Sequence, residues 1–192
     1  MIRIAVVGDI GSGKSYVAKL FGYPVFNADQ EVALLYKKNR KCFNKLKKIL
    51  PKYITSFPVN KKVIAKAIID NNFNLKKIIK IIHPEVRLQM NKFIKKNRIK
   101  KIVVLDIPLL LENKINRKND IIIFVDAKKK EINKRLKKRD NVNLKILKKF
   151  KKVQLSLELK KKKSNYTVKN NFKNHFAKKN VKIILKKILL NA

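Results

Sequence analysis

Three of the chain's four glycines fall within eight residues, Gly8-Asp9-Ile10-Gly11-Ser12-Gly13-Lys14-Ser15, directly behind the largely apolar run Ile2 to Val7. The spacing G-x-x-x-x-G-K-S, between a buried strand and an amphipathic segment from Ser15 to Leu20, predicts a strand, a tight loop and a helix in succession. Glycine lets the backbone N–H groups turn inward as a concave anion nest, and the start of the following helix adds partial positive charge. A lysine placed like Lys14 reaches β- and γ-phosphates, and a hydroxyl placed like Ser15 suits Mg²⁺. The segment Gly11, Ser12, Gly13, Lys14, Ser15 and Tyr16 is therefore expected to hold a nucleoside triphosphate. A mere tight turn is the alternative.

A loop of this kind works only at the end of a strand in an open sheet, and the rest of the chain supplies such a sheet. Strand-like and helix-like segments alternate, which predicts parallel strands flanked by helices. Pro24-Val25-Phe26 reads as a second strand, and Gln30 to Tyr36 as a helix. From about Lys37 to Asn97 the sequence is helical and lysine-rich, interrupted at Pro51, Pro58 and Pro84. Ile102 to Ile107 and Ile121 to Asp126 are the best central-strand candidates, followed by a helix from Ala127 to Lys138. A basic helical excursion then runs to Lys163, with Lys160 to Lys163 reading as solvated surface. Tyr166-Thr167-Val168 makes a last strand, and Lys173 to Leu190 a closing helix.

The expected fold is α/β: a three-layer phosphate-loop NTPase core with a parallel sheet of about five strands, a helical acceptor-binding insertion and a helical lid. All 192 residues would form one domain, with a core of 1–37, 98–138 and 164–192, a lobe of 38–97 and a lid of 139–163.

Charge points elsewhere at first sight. Lys and Arg number 51 against 12 Asp and Glu, a net charge of +39, which fits a nucleic-acid binder. Lysine, however, is enriched together with Ile, Asn and Phe, and the lysines are spread along every segment. That joint pattern reads as nucleotide bias, so no specific nucleic-acid partner is expected. The lone Cys42 forms no intramolecular disulfide, no apolar run is long enough to span a bilayer, and the amino-terminal strand does not read as a signal peptide. A cytoplasmic monomer is the expectation.

A phosphate loop alone does not separate a kinase from a GTPase, a motor or a helicase. The nearest string to a guanine-reading N-K-x-D is Asn44-Lys45-Leu46-Lys47, which lacks the aspartate. Further motifs follow in order: Asn27-Ala28-Asp29, His83-Pro84-Glu85-Val86-Arg87, Asp106-Ile107-Pro108-Leu109-Leu110-Leu111-Glu112 and Arg135-Leu136-Lys137-Lys138-Arg139-Asp140. From Ile4 to Phe172 the chain resembles the dephospho-coenzyme A kinases, with their Asp-Ala-Asp triplet, H-P-x-V-R, D-V-P-L-L-x-E and R-x-x-x-R-D segments. The resemblance implies ATP-dependent phosphorylation of the ribose 3′-hydroxyl of dephospho-coenzyme A, with Mg²⁺. Another small-molecule or nucleotide kinase, and a basic nucleic-acid-binding NTPase, are the competing readings.

Asp29, at the carboxyl end of the second strand, is placed to orient an acceptor hydroxyl and take its proton; its alternative is a helix N-cap. Asp106 suits water-mediated binding of Mg²⁺, or simply caps a loop. The resemblance assigns His83, Arg87, Pro108, Leu109 and Glu112 to the acceptor, although Glu112 could equally form a surface ion pair and His83 a structural cap before the helix start at Pro84. Arg135 and Arg139, four apart, are expected over the phosphates, where a planar guanidinium is not replaceable by Lys. Asn170 either contacts adenine or forms a turn. Asp9, Tyr16, Asn27, Asn165 and Phe172 depart from the family pattern, with Asn165 standing for an aspartate and Phe172 for a glycine.

Overall fold

Apolar residues at every position of Ile102–Leu105 and Ile121–Val125, not at every second one, require strands covered on both faces. The computed structural model describes residues 1–138 and 143–191, apart from the side chains of Asn72 and Asn174. In chain order the elements are β1 (Ile2–Gly8), α1 (Lys14–Leu20), β2 (Val25–Asn27), α2 (Ala28–Lys38), α3 (Arg40–Ile49), α4 (Lys61–Asp70) and α5 (Asn72–Lys96). They continue as β3 (Ile102–Asp106), β4 (Ile121–Asp126), α6 (Lys129–Lys137), α7 (Leu144–Lys152), α8 (Leu157–Lys162), β5 (Tyr166–Lys169) and α9 (Asn174–Leu190).

The five strands form one parallel sheet in the order β2-β3-β1-β4-β5. β1 lies in the middle with β3 on one side and β4 on the other, so the strand order reverses there and the loop after β1 opens at the switch point. On one face Ile4, Val6, Ile102, Val104, Ile123, Val125 and Val168 pack against Val17, Ala18 and Phe21 of α1 and Ala177, Val181, Ile184 and Ile188 of α9. The alternate residues Ala5, Val7, Val103, Leu105, Ile122 and Phe124 are buried on the opposite face.

The described residues of Met1–Asn27, Asn97–Val142 and Lys151–Ala192 form one compact unit around this sheet. A second unit, Ala28–Lys96 with Asn143–Phe150, is helical. It begins at α2, earlier than the lobe expected from sequence, because α2 packs against α5 as α3 and α4 do. Asparagine supplies its helix starts: Asn39 Oδ1 accepts from Cys42 N–H at 2.9 Å and Asn60 Oδ1 from Lys62 N–H at 2.8 Å. Lys149 Nζ donates to the carbonyls of Ile68 and Ile69 in the last turn of α4.

Pro84 corrects the sequence reading. Read locally, it breaks the helical text and puts His83 at or before a helix start, yet α5 runs through it. The buried stripe Leu75, Ile78, Ile82, Val86 and Met90 keeps its phase across Pro84, so burial of that face outweighs the roughly 3 kcal/mol a mid-helix proline costs. Burial also pushes the Cys42 thiol and the Tyr36 phenol up from their ordinary pKa values. Cys42 is thus a packed residue, kept protonated.

Candidate phosphate-transfer site

At the carboxyl end of β1 the chain leaves the sheet through the glycine-rich loop. Gly13 caps α1 with φ 92°, and Gly11 has φ 85°, both in the left-handed region that side chains rarely adopt. A Cβ at Gly13 would also run into Asn170 Nδ2, so the loop cannot close in this way with any larger residue. Lys14 is buried and donates from Nζ to the Asp9 carbonyl at 2.8 Å, with Gly8 O at 3.5 Å. The backbone at Asp9 is not left-handed, which is why a side chain is accepted there, and its Oδ1 takes the Ile10 N–H at 2.7 Å. Ser12 Oγ is fully buried and finds no hydrogen-bond partner among the described residues.

Around this loop the sheet unit collects other sequence-predicted residues. Asp106, 3% exposed at the end of β3, stands beside Asn27 of β2, whose Nδ2 donates to Asp106 Oδ2 at 2.5 Å. With Asn at position 27 the aspartate is met there by a neutral donor. Asn170 follows β5, and its polar groups are engaged: N–H to Asp126 O at 2.7 Å, Nδ2 to Ser12 O at 2.8 Å, and Oδ1 accepting from Phe172 N–H at 3.0 Å. It latches the β5–α9 loop to the phosphate loop. Arg135, exposed near the end of α6, lies over the Phe172 ring at 4.5 Å. Tyr16 is half-buried in the first turns of α1, and Ser15 exposed beside it.

Pro108, Leu109 and Glu112 lie in the turns after β3. Glu112 Oε1 takes Lys160 Nζ at 2.8 Å and the Leu155 N–H at 3.0 Å. Lys160, read from sequence as solvated surface, is 1% exposed: one lysine of that run turns inward because a buried carboxylate awaits it. Asn165 Oδ1 accepts from Ile122 N–H at 2.8 Å, a bond that an aspartate would make equally well.

The remaining candidates belong to the helical unit. Asp29 is exposed in the first turn of α2, and since the helix begins at Ala28 it is not the N-cap. His83 and Arg87 share one face of α5, four residues apart, the first half-buried and the second exposed. Arg139 lies outside the described residues. The sequence reads Lys160 as solvated surface and Phe172 only as a departure; neither carries a local signal, because the partners they meet, Glu112 and Arg135, are distant in the chain.

A parallel sheet with a lysine-bearing phosphate loop at its switch point and an aspartate ending the neighbouring strand defines a phosphate-loop kinase. The family profile for dephospho-CoA kinase matches residues 2–175, and the chain belongs to that family, transferases of the last step of coenzyme A biosynthesis. A dephospho-CoA kinase from Wolbachia pipientis wMel is 33% identical over 193 residues, covering 98% of each chain. A crystal structure from Thermus thermophilus superposes with a TM-score of 0.76 at 26% identity, covering 99% of this chain and 97% of that one. The dephospho-CoA kinase from Campylobacter jejuni gives a TM-score of 0.64 at 20% identity over 97% and 96%, a likeness of fold. Among the described residues no helix is long and apolar enough to cross a membrane.

Proposed function

We propose that the chain transfers the γ-phosphoryl group of Mg²⁺·ATP to the ribose 3′-hydroxyl of dephospho-coenzyme A, releasing ADP and coenzyme A, and that it does so as a cytoplasmic monomer. The observation that carries the reading is Lys14, buried and turned onto the carbonyls of its own loop, where a triphosphate would replace those carbonyls as its partner.

The residues fit both groups. Loop N–H groups and Lys14 hold the β- and γ-phosphates, Arg135 adds a guanidinium to the phosphates of the bound nucleotide, and Arg139 balances charge on the transferring oxygens. Ser15 through its hydroxyl, and Asp106 through water, would hold Mg²⁺, a hard cation that takes oxygen donors. Bound there, the ion would supply positive charge that offsets part of the charge on the phosphates. His83, Arg87, Pro108 and Leu109 receive the acceptor, with Arg87 able to grip a phosphate in bidentate fashion. Glu112 acts on that surface through Lys160, holding α8 to the turns after β3.

In the transfer itself the 3′-oxygen forms a bond to the γ-phosphorus as the bond to the β–γ bridging oxygen breaks. Asp29 accepts the hydroxyl proton, and ADP leaves with the bridging oxygen. Analysis of the product by mass spectrometry and ³¹P NMR tests this: a 3′-phosphomonoester is expected. Asp29→Asn should lower kcat by about 10²–10⁴-fold with little change in the KM for ATP. Full turnover by that variant would remove Asp29 from the chemistry. ATP turnover stimulated by RNA and surviving physiological salt would favour the nucleic-acid reading instead.

A further inference from the structure

Phe172 stands in the left-handed region with φ 61°, a conformation that strains a side-chain-bearing residue and suits glycine. Apart from Lys114 no other non-glycine residue among those described has positive φ. Local geometry does not require an aromatic there, since the Asn170 latch uses only the backbone N–H of residue 172. The ring itself has two neighbours. Arg135 lies over it at 4.5 Å, and its Cε1 edge would be 3.5 Å from a Cβ built on Gly13 of the phosphate loop. Arg135 is one of seven arginines among 51 basic residues, exposed on a helix where lysine would be the common choice. A planar guanidinium stacked on a ring loses far less freedom on docking than an unsupported one.

We propose that Phe172 is a positioning residue: its ring braces the Arg135 guanidinium beside the phosphate loop, so that the cation is set for the incoming nucleotide. The inference rests on the reading that Arg135 serves ATP. It accounts for strain held at the nucleotide end of the sheet, where a relaxed glycine would leave Arg135 without its platform. Phe172 acts on binding through Arg135, so its loss is felt in the KM for ATP and not in the acceptor's KM.

The chain contains no tryptophan, so Phe172→Trp introduces a single tryptophan at the brace, whose emission is read with excitation at about 295 nm, where the five tyrosines absorb little. Titration of that variant with ATP should change its emission saturably, and its KM for ATP should stay within about twofold of wild type. Phe172→Leu and Phe172→Gly should each raise the KM for ATP by about three- to tenfold, with kcat and the acceptor's KM changed less than twofold. Phe172→Gly should melt no lower than wild type, since the strained backbone is relieved. In a cycle with Arg135→Lys, the second substitution should add almost nothing to the first.

Unchanged KM for ATP in Phe172→Leu, or a rise shared by the acceptor, would overturn the brace. Independent, additive effects of the two substitutions would overturn it as well. An unchanged KM for ATP in Arg135→Lys and Arg135→Ala would instead overturn the reading that Arg135 serves the nucleotide.

Discussion

The two ends of one sheet use buried polar groups in opposite ways. At the amino end, Arg3 of β1 and Asp120 just before β4 are sealed together: Nε lies 2.9 Å from Oδ1, Nη2 donates to Oδ2 at 3.0 Å, and the Arg117 N–H donates to Oδ2 at 2.9 Å. Burial disfavours both charges, raising the Asp120 pKa and lowering that of Arg3, and each partner offsets the other's penalty. At the carboxyl end the polar groups are arranged around the loop. Lys14 turns back on backbone carbonyls, Ser12 Oγ is buried without a partner among the described residues, and Phe172 holds a strained backbone. A closed pair stabilises the fold; at the other end, on the proposed reading, a triphosphate takes the place of the loop carbonyls as the partner of Lys14.

The sharpest way to break the contrast is at Lys14. Lys14→Ala should lower kcat/KM by about 10³-fold, about 4 kcal/mol of transition-state stabilisation, and leave the urea midpoint nearly unchanged. Asp120→Asn should do the reverse: a stability loss of about 3 kcal/mol by urea denaturation, from Arg3 left buried and unpaired, with the KM for ATP unchanged in the folded fraction. A third pair, Glu112–Lys160, lies between these cases. Lys160→Met should cost about 2 kcal/mol, and adding Glu112→Gln should recover most of it, because removing both charges spares the uncompensated one. Asn39→Ala, a helix cap in the other unit, should cost only about 1 kcal/mol and leave kinetics untouched. If Lys14→Ala unfolded the chain, or Asp120→Asn abolished nucleotide binding while folded, the division between the ends would fail.

These differences also explain what was legible beforehand. The loop, the central strands and the parallel sheet could be read because their signals are local: glycine spacing, unbroken apolar runs and alternation of strand with helix. α5 could not, since Pro84 is a local stop signal and the stripe from Leu75 to Met90 that overrides it matters only once α2, α3 and α4 cover it. Lys160 looked like every other lysine until Glu112 came to meet it across 48 positions of sequence. The sequence alone allows Asn170 an adenine contact or a turn, and its bonds to Ser12 and Phe172 join loops far apart in the chain. Asn165 and Asp9 depart from the family pattern and fit without strain, whereas Phe172 departs from it with a backbone in the left-handed region. Lysine is spread along every segment, yet residue 135 is an arginine, and its guanidinium lies over the Phe172 ring.

The direct test of the account is an ADP-release assay on the full chain with Mg²⁺·ATP and a panel of dephospho-coenzyme A, nucleoside monophosphates, shikimate and RNA. ADP release accelerated by dephospho-coenzyme A alone is the predicted result. Release that ignores dephospho-coenzyme A, or rises with RNA or another acceptor in its place, would contradict it.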